Sequence, residues 1–103
     1  MEASQVEDEE MVYELWDIYE DFNEENLKKK IEYIMRREKI WSPKFKIVFP
    51  AGGLKIVSED DQSYQYDFEV FSSPSKIKYY GTAYGNLIEG EIADMTIELK
   101  KVD

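Results

Sequence analysis

The stretch EDEEMVYELWDIYEDFNEE, residues 7–25, packs acids and large apolar side chains into the same few turns, and its reading decides the fold. With a step of about 100° per residue, Met11, Val12, Leu15, Trp16, Ile18, Tyr19 and Phe22 fall within an arc of roughly 160°. Glu10, Glu14, Asp17, Glu20 and Asp21 fall opposite, with Tyr13 among them. This pattern predicts an amphipathic helix from about residue 10 to 21, oily on one face and purely negative on the other. The strand template fails, because both alternating faces would mix acids with aromatics.

Outward from this stretch, NEENLKKKIEYIMRREKI (23–40) predicts a second helix. Leu27, Ile31, Ile34 and Met35 share a face, Asn23 is a good N-cap, and Glu24 and Glu25 sit in the first turn. Arg36, Arg37 and Lys39 suit the last turn, where cations complement the helix dipole. The two apolar faces differ by roughly 120° about the axis, so a break is expected near Phe22–Asn23. Trp41-Ser42-Pro43 ends the helical part, because the residue before proline is pushed out of the α region.

From Lys44 the period changes to two. Phe45, Ile47 and Phe49 share one face. PAGG (50–53) reads as a turn, LKIV (54–57) as a return strand and SEDDQS (58–63) as a polar connection. In YQYDFEVF, Tyr64, Tyr66, Phe68 and Val70 lie opposite Gln65, Asp67 and Glu69. SSPS (72–75) is a turn, and KIKYYGTAY a strand with GN (85–86) as a hairpin signal after it. LIEGEIADMTIELKK is a last strand or a further hairpin, with Gly90 or Asp94 at the change of phase. The expected fold class is α+β: an N-terminal helix or helix pair (10–41) packed on an antiparallel meander of about five strands (44–103). The expected core is Leu15, Trp16, Leu27, Ile31, Ile34, Phe45, Ile47, Phe68, Val70, Ile97 and Leu99. Residues 1–9 read as a disordered acidic tail.

Composition narrows the function. A chain of 103 residues suits one domain. Its net charge of −10 is unevenly spread: residues 1–27 carry eleven acids and no base, while the rest holds twelve acids and all 13 bases. The excess therefore lies in one quarter of the chain, and this asymmetry is the main functional hint. The chain contains no Cys and no His, so disulfides, thiolate or imidazole metal sites and His-assisted nucleophiles are excluded. FPAGGLK lacks the spacing of a phosphate-binding loop. The carboxylate runs 7–10 and 59–61 lack the alternation of a calcium loop. No catalytic residue, metal or cofactor is expected. No apolar run approaches the roughly 20 residues of a membrane helix, and no signal peptide is visible. A cytoplasmic protein without membrane contact is the expectation. Abundant Ile, Lys, Glu and Tyr with little Ala reads as an AT-rich or thermophile coding bias, and a small acidic chain of this kind suits a virus, a plasmid or an immunity locus.

Three binding functions fit. The first is an acidic inhibitor or regulator. It would dock Glu10, Glu14, Asp17, Glu20, Asp21 and Glu24 on the basic surface of a protein such as a nucleic-acid enzyme, as a nucleic-acid mimic. Weighed against it is a helix face that is merely solvated. The second is a single-stranded nucleic-acid binder that stacks bases on Tyr64, Tyr66, Tyr79, Tyr80 and Tyr84 among the sheet's lysines. A body so nearly neutral speaks against direct nucleic-acid binding. The third is a small-ligand pocket between helix and sheet.

Overall fold

Asn23 starts the α-helix. The computed structural model describes residues 10–50, 62–72 and 76–102. Asn23 is extended, and its side-chain oxygen accepts from the Asn26 N–H at 2.8 Å. The helix, α1, spans Glu24–Arg37, with acids in its first turn and Arg36 and Arg37 in its last. It closes through Lys39, which takes φ 64°. The Lys39 N–H bonds the Arg36 carbonyl at 3.0 Å and the Ile40 N–H reaches Met35 at 2.9 Å. Glycine is the commoner residue in this paired closure. Leu27, Ile31, Ile34 and Met35 are fully buried on one face of α1, as their spacing predicts.

The described strands are β1 (Glu10–Leu15), β2 (Glu20–Asp21), β3 (Phe45–Val48), β4 (Ser63–Ser72), β5 (Lys76–Ile88), β6 (Glu91–Ile92) and β7 (Met95–Lys101). The main sheet runs β1-β7-β5-β4-β3, and β6 pairs with both β5 and β2. Every pairing among the described strands is antiparallel. Among the described residues the fold is α+β, mostly antiparallel sheet with one helix. The seven described strands exceed the expected meander of about five, and the helix follows two of them.

The expected helix over 10–21 does not form. Over Glu10–Leu15 alone the alternation is clean, with Met11, Tyr13 and Leu15 half-buried and Glu10, Val12 and Glu14 exposed. Pairing with β7 satisfies one row of this strand's backbone groups and seats its apolar side chains beside Leu99, Ile97 and Met95. A helix would instead stack Glu10 on Glu14 and Asp17 on Glu20 and Asp21, a like-charge repulsion along its whole outer face. The phase then breaks at Asp17 (φ 59°) and Tyr19 (φ 52°), both left-handed. Because of this break, no single period fits residues 10–21, and Trp16, expected in the core, is 64% exposed. The GN signal at 85–86 also fails: β5 runs through it, and the hairpin turn is Glu89–Gly90, with φ of 53° and 82°. That pair supplies the two positive φ values of a two-residue turn. The tail 1–9, the turn residues 51–53 and 73–75, the strand 54–57 and most of the connection after it lie outside the described residues.

One face of the sheet builds the core with α1. Met95, Ile97 and Leu99 of β7, Ala83 and Leu87 of β5, Tyr64, Tyr66, Phe68 and Val70 of β4, and Ile47 of β3 are buried there. Leu15 and Phe45 are only half-buried at the two flanks. Phe22 packs on Tyr64 (ring centroids 5.1 Å), and Phe49 stacks on Tyr66 at 4.4 Å.

Two core tyrosines make polar bonds at the edge of the core, and the second of them joins sheet to helix. The Tyr64 hydroxyl donates to the Asp94 carbonyl at 2.8 Å, and the Tyr66 hydroxyl donates to the Glu24 carboxylate on α1. Burial, then the nearby Asp94, raises the Tyr64 pKa. Burial, then the Glu24 hydrogen bond, pushes Tyr66 up to about 12. An unfolded phenol ionises near pH 10. Above that pH the folded chain holds more protons than the unfolded one, so stability falls as pH rises. This contribution is complete below about pH 10 and is lost progressively toward the folded-state values. Urea midpoints measured across the alkaline range should fall with pH in the parent and fall less in Tyr66→Phe. Equal slopes in the two would show that Tyr66 titrates as it does in the unfolded chain.

Candidate interaction surface

The second face of the sheet is not covered by α1. Registers place Glu10, Lys100, Tyr80 and Glu69 in one row across β1, β7, β5 and β4. Val12, Glu98, Thr82 and Asp67 form the next row, and Glu14, Thr96, Tyr84 and Gln65 the one after. Five carboxylates thus meet on one open face, crossed by Lys100. Two are held by cross-strand hydroxyls. Thr82 donates to Asp67 at 3.1 Å, and Tyr84 donates to Glu98 at 2.8 Å. Each bond fixes one carboxylate oxygen and leaves further lone pairs directed outward. The bond to Glu98, followed by burial and the charges of Glu98 and Glu14, keeps the Tyr84 phenol protonated above its ordinary range.

The face is dished in two places. A depression of about 400 Å³ is lined by Glu10, Asp67, Glu69, Tyr80, Thr82, Glu98 and Lys100, with the Gly81 backbone in its floor. A second, of about 480 Å³, lies between Trp16, Gln65, Tyr84, Asn86, Asp94 and Thr96. Asp94 is fixed there by the Asn86 backbone N–H at 3.1 Å and the Asn86 side-chain amide at 3.2 Å. Gly85 allows this arrangement, because a Cβ on it would stand 2.3 Å from the Asp94 carbonyl oxygen.

Trp16 directly follows β1 and is succeeded by a strained link at Asp17 and Tyr19. Left-handed backbone at a non-glycine residue costs on the order of 1–3 kcal/mol, more readily tolerated at Asp17 than at Tyr19. The link is held by two bonds, Ile18 N–H to Ala93 carbonyl at 3.0 Å and Tyr19 N–H to Ile92 carbonyl at 2.7 Å. Ile18 turns toward the core while Trp16 and Tyr19 stand in solvent.

The five acids expected to share a helix face, and Glu24 expected to extend them, are dispersed. Glu10 and Glu14 lie on the open sheet face. Asp17 is in the strained link. Glu20 pairs with Lys30 at 2.8 Å, and Glu24 receives the Tyr66 hydroxyl, so both are engaged within the chain. Asp21 is exposed in β2, and its carbonyl accepts from the Asn26 side chain at 2.8 Å. Asp67, Glu69 and Glu98 were absent from the sequence expectation. Their signal was available in β4 and β7 as charges alternating with buried residues, but the strand order that gathers them was not. Of the five tyrosines weighed as a base-stacking platform, Tyr64 and Tyr66 are buried and Tyr79 is half-buried. Tyr80 and Tyr84 stand among the carboxylates. Among the described residues no three carboxylates converge as metal ligands would, and no helix is long and apolar enough to cross a membrane.

Comparison with protein-family models, curated proteins and solved structures gives no match. The functional reading therefore rests on this chain's own geometry.

Proposed function

We propose that this is a non-enzymatic binding protein that presents the open sheet face to a basic protein surface and thereby inhibits or regulates its partner. A nucleic-acid enzyme is a partner class with such a surface. The supporting observation is the set of carboxylates on that face, two of them oriented by cross-strand hydroxyls, beside exposed Val12, Trp16 and Tyr80. Like charges so gathered raise the association rate with a basic partner and repel nucleic acid. Exposed aromatic anchors surrounded by polar groups are the usual make-up of a protein-binding centre. The reading keeps Glu10 and Glu14 from the expected acidic set, adds Asp67, Glu69 and Glu98, and moves the surface from a helix to a sheet.

A decalysine peptide tests it, with two variants of equal charge. Glu14→Gln/Asp67→Asn/Glu98→Gln strips the open face. Asp21→Asn/Glu25→Gln/Glu89→Gln removes three charges elsewhere. The first should weaken binding by about tenfold at low salt and flatten its salt dependence, through a slower on-rate. The second should change little. Equal losses would mean that net charge alone attracts the peptide, and the face would have no special role. Retention of single-stranded DNA by the parent would instead favour the nucleic-acid reading.

A further inference from the structure

We propose that the depression between Trp16 and Tyr84 seats an arginine side chain of the basic partner, in preference to a lysine. The inference rests on the acidic-face reading and specifies what one part of that face recognises. Four observations meet at this spot. Trp16 is 64% exposed, although the same chain buries several other large apolar side chains completely. It is not a loosely held residue: Leu15 before it pairs with Met95, and the link after it is hydrogen-bonded to Ile92 and Ala93. Tyr84 lines the same depression with its hydroxyl committed to Glu98 at 2.8 Å, so its ring is fixed. Asp94 lines it too, its carboxylate held by two bonds from Asn86, and among the described residues the lining includes no cation.

This combination selects a guanidinium. A planar cation lies flat on an indole or phenol ring and is attracted by the ring's electron-rich face. Its weak hydration lets it stack with little desolvation cost, and its fork of N–H donors can still reach a carboxylate or amide oxygen in the plane. Asp94 and Gln65 lie on the same lining as Trp16 and Tyr84. A lysine ammonium is compact and strongly hydrated, so it gains from the carboxylates and little from the rings. The volume of about 480 Å³ falls in the range of ordinary ligand sites. The surrounding acids Glu14 and Glu98 supply the charge complementarity that brings a basic segment here.

The test compares decaarginine with decalysine on a Trp41→Phe background, so that emission reports Trp16 alone. Decaarginine should shift or quench the Trp16 emission and bind about five- to tenfold more tightly than decalysine. Trp16→Ala, measured by calorimetry, should abolish most of this preference, lowering decaarginine affinity several-fold more than decalysine affinity. Trp16→Phe should keep part of it. Because Trp16 is exposed, these variants should melt at the parent temperature, which circular dichroism checks. A preference for arginine that survives in Trp16→Ala overturns the subsite, as does equal binding of both peptides by the parent. If neither peptide responds to the loss of Glu14, Asp67 and Glu98, the acidic-face reading itself fails, an outcome distinct from losing the arginine preference alone.

Discussion

Phe68→Ala is expected to lower the unfolding free energy by about 3–5 kcal/mol. Phe68 stands in the middle of β4 and is 1% exposed. Its register partner on β5 is Gly81, so the ring has no side chain directly opposite it and lies across the bare backbone instead. Truncation therefore removes a full aromatic ring from a place where the facing residue cannot fill the space. The neighbouring Tyr66 and Val70 point to the same side but are themselves completely packed. The cost is the lost transfer of the ring from water plus that of the cavity left behind. Urea unfolding of parent and variant provides the measurement. The midpoint should drop sharply while the slope with denaturant stays constant, which would place the loss in the native state. An unchanged midpoint would mean that Phe68 does not lie over Gly81 and that the β4–β5 register is different.

The same residue illustrates what could be read from the chain before its structure. YQYDFEVF alternates without a break, so its buried and exposed sides followed directly from period two. The α1 helix was equally legible, because cap, charge placement and apolar spacing all agreed. Residues 10–21 were not, for a specific physical reason. Met11, Tyr13 and Leu15 alternate correctly, but the left-handed residues Asp17 and Tyr19 shift the phase immediately afterwards. A window spanning the shift shows neither strand nor helix alone, and the helical arc absorbs the mixture. The deciding factor was non-local: β7, some 85 residues away along the chain, offers β1 its backbone partners. Non-local pairing overrides local preference in strands more often than in helices. The same non-locality hid the candidate site. Glu14 and Glu98 were each visible as outward-facing acids, but only the order β1-β7-β5-β4 makes them neighbours of Asp67. Trp16 was misplaced with β1, since its exposure depends on the same link.

Gly81→Ala is expected to destabilise the fold by about 1–3 kcal/mol, although alanine is ordinarily the better strand residue. The conformation at Gly81 is not the reason, because its φ is not positive. The reason is space. A Cβ at this position would stand 2.3 Å from the Phe68 ring, and three ring carbons lie within 2.8 Å. The ring is buried and cannot swing into solvent, so either it leaves its rotamer or the two strands separate locally. A double-mutant cycle distinguishes this from a general dislike of alanine at the site. With Phe68 already replaced by alanine, the added methyl enters the vacated volume. Gly81→Ala should then be neutral or stabilising, because it fills part of the cavity and reduces the freedom of the unfolded chain. The two substitutions should therefore couple by at least about 1 kcal/mol, in the sense that each relieves the other. Strict additivity would show that the cost of Gly81→Ala arises in the β5 backbone, independent of the ring. The open face would then owe the floor of its first depression to glycine's backbone alone. If the coupling is found, that floor and the core beneath it are one packing unit: the ring on the inner side fixes the residue whose missing side chain lets the strands approach. A change made to reshape the acidic face at Gly81 would then be felt first in the core.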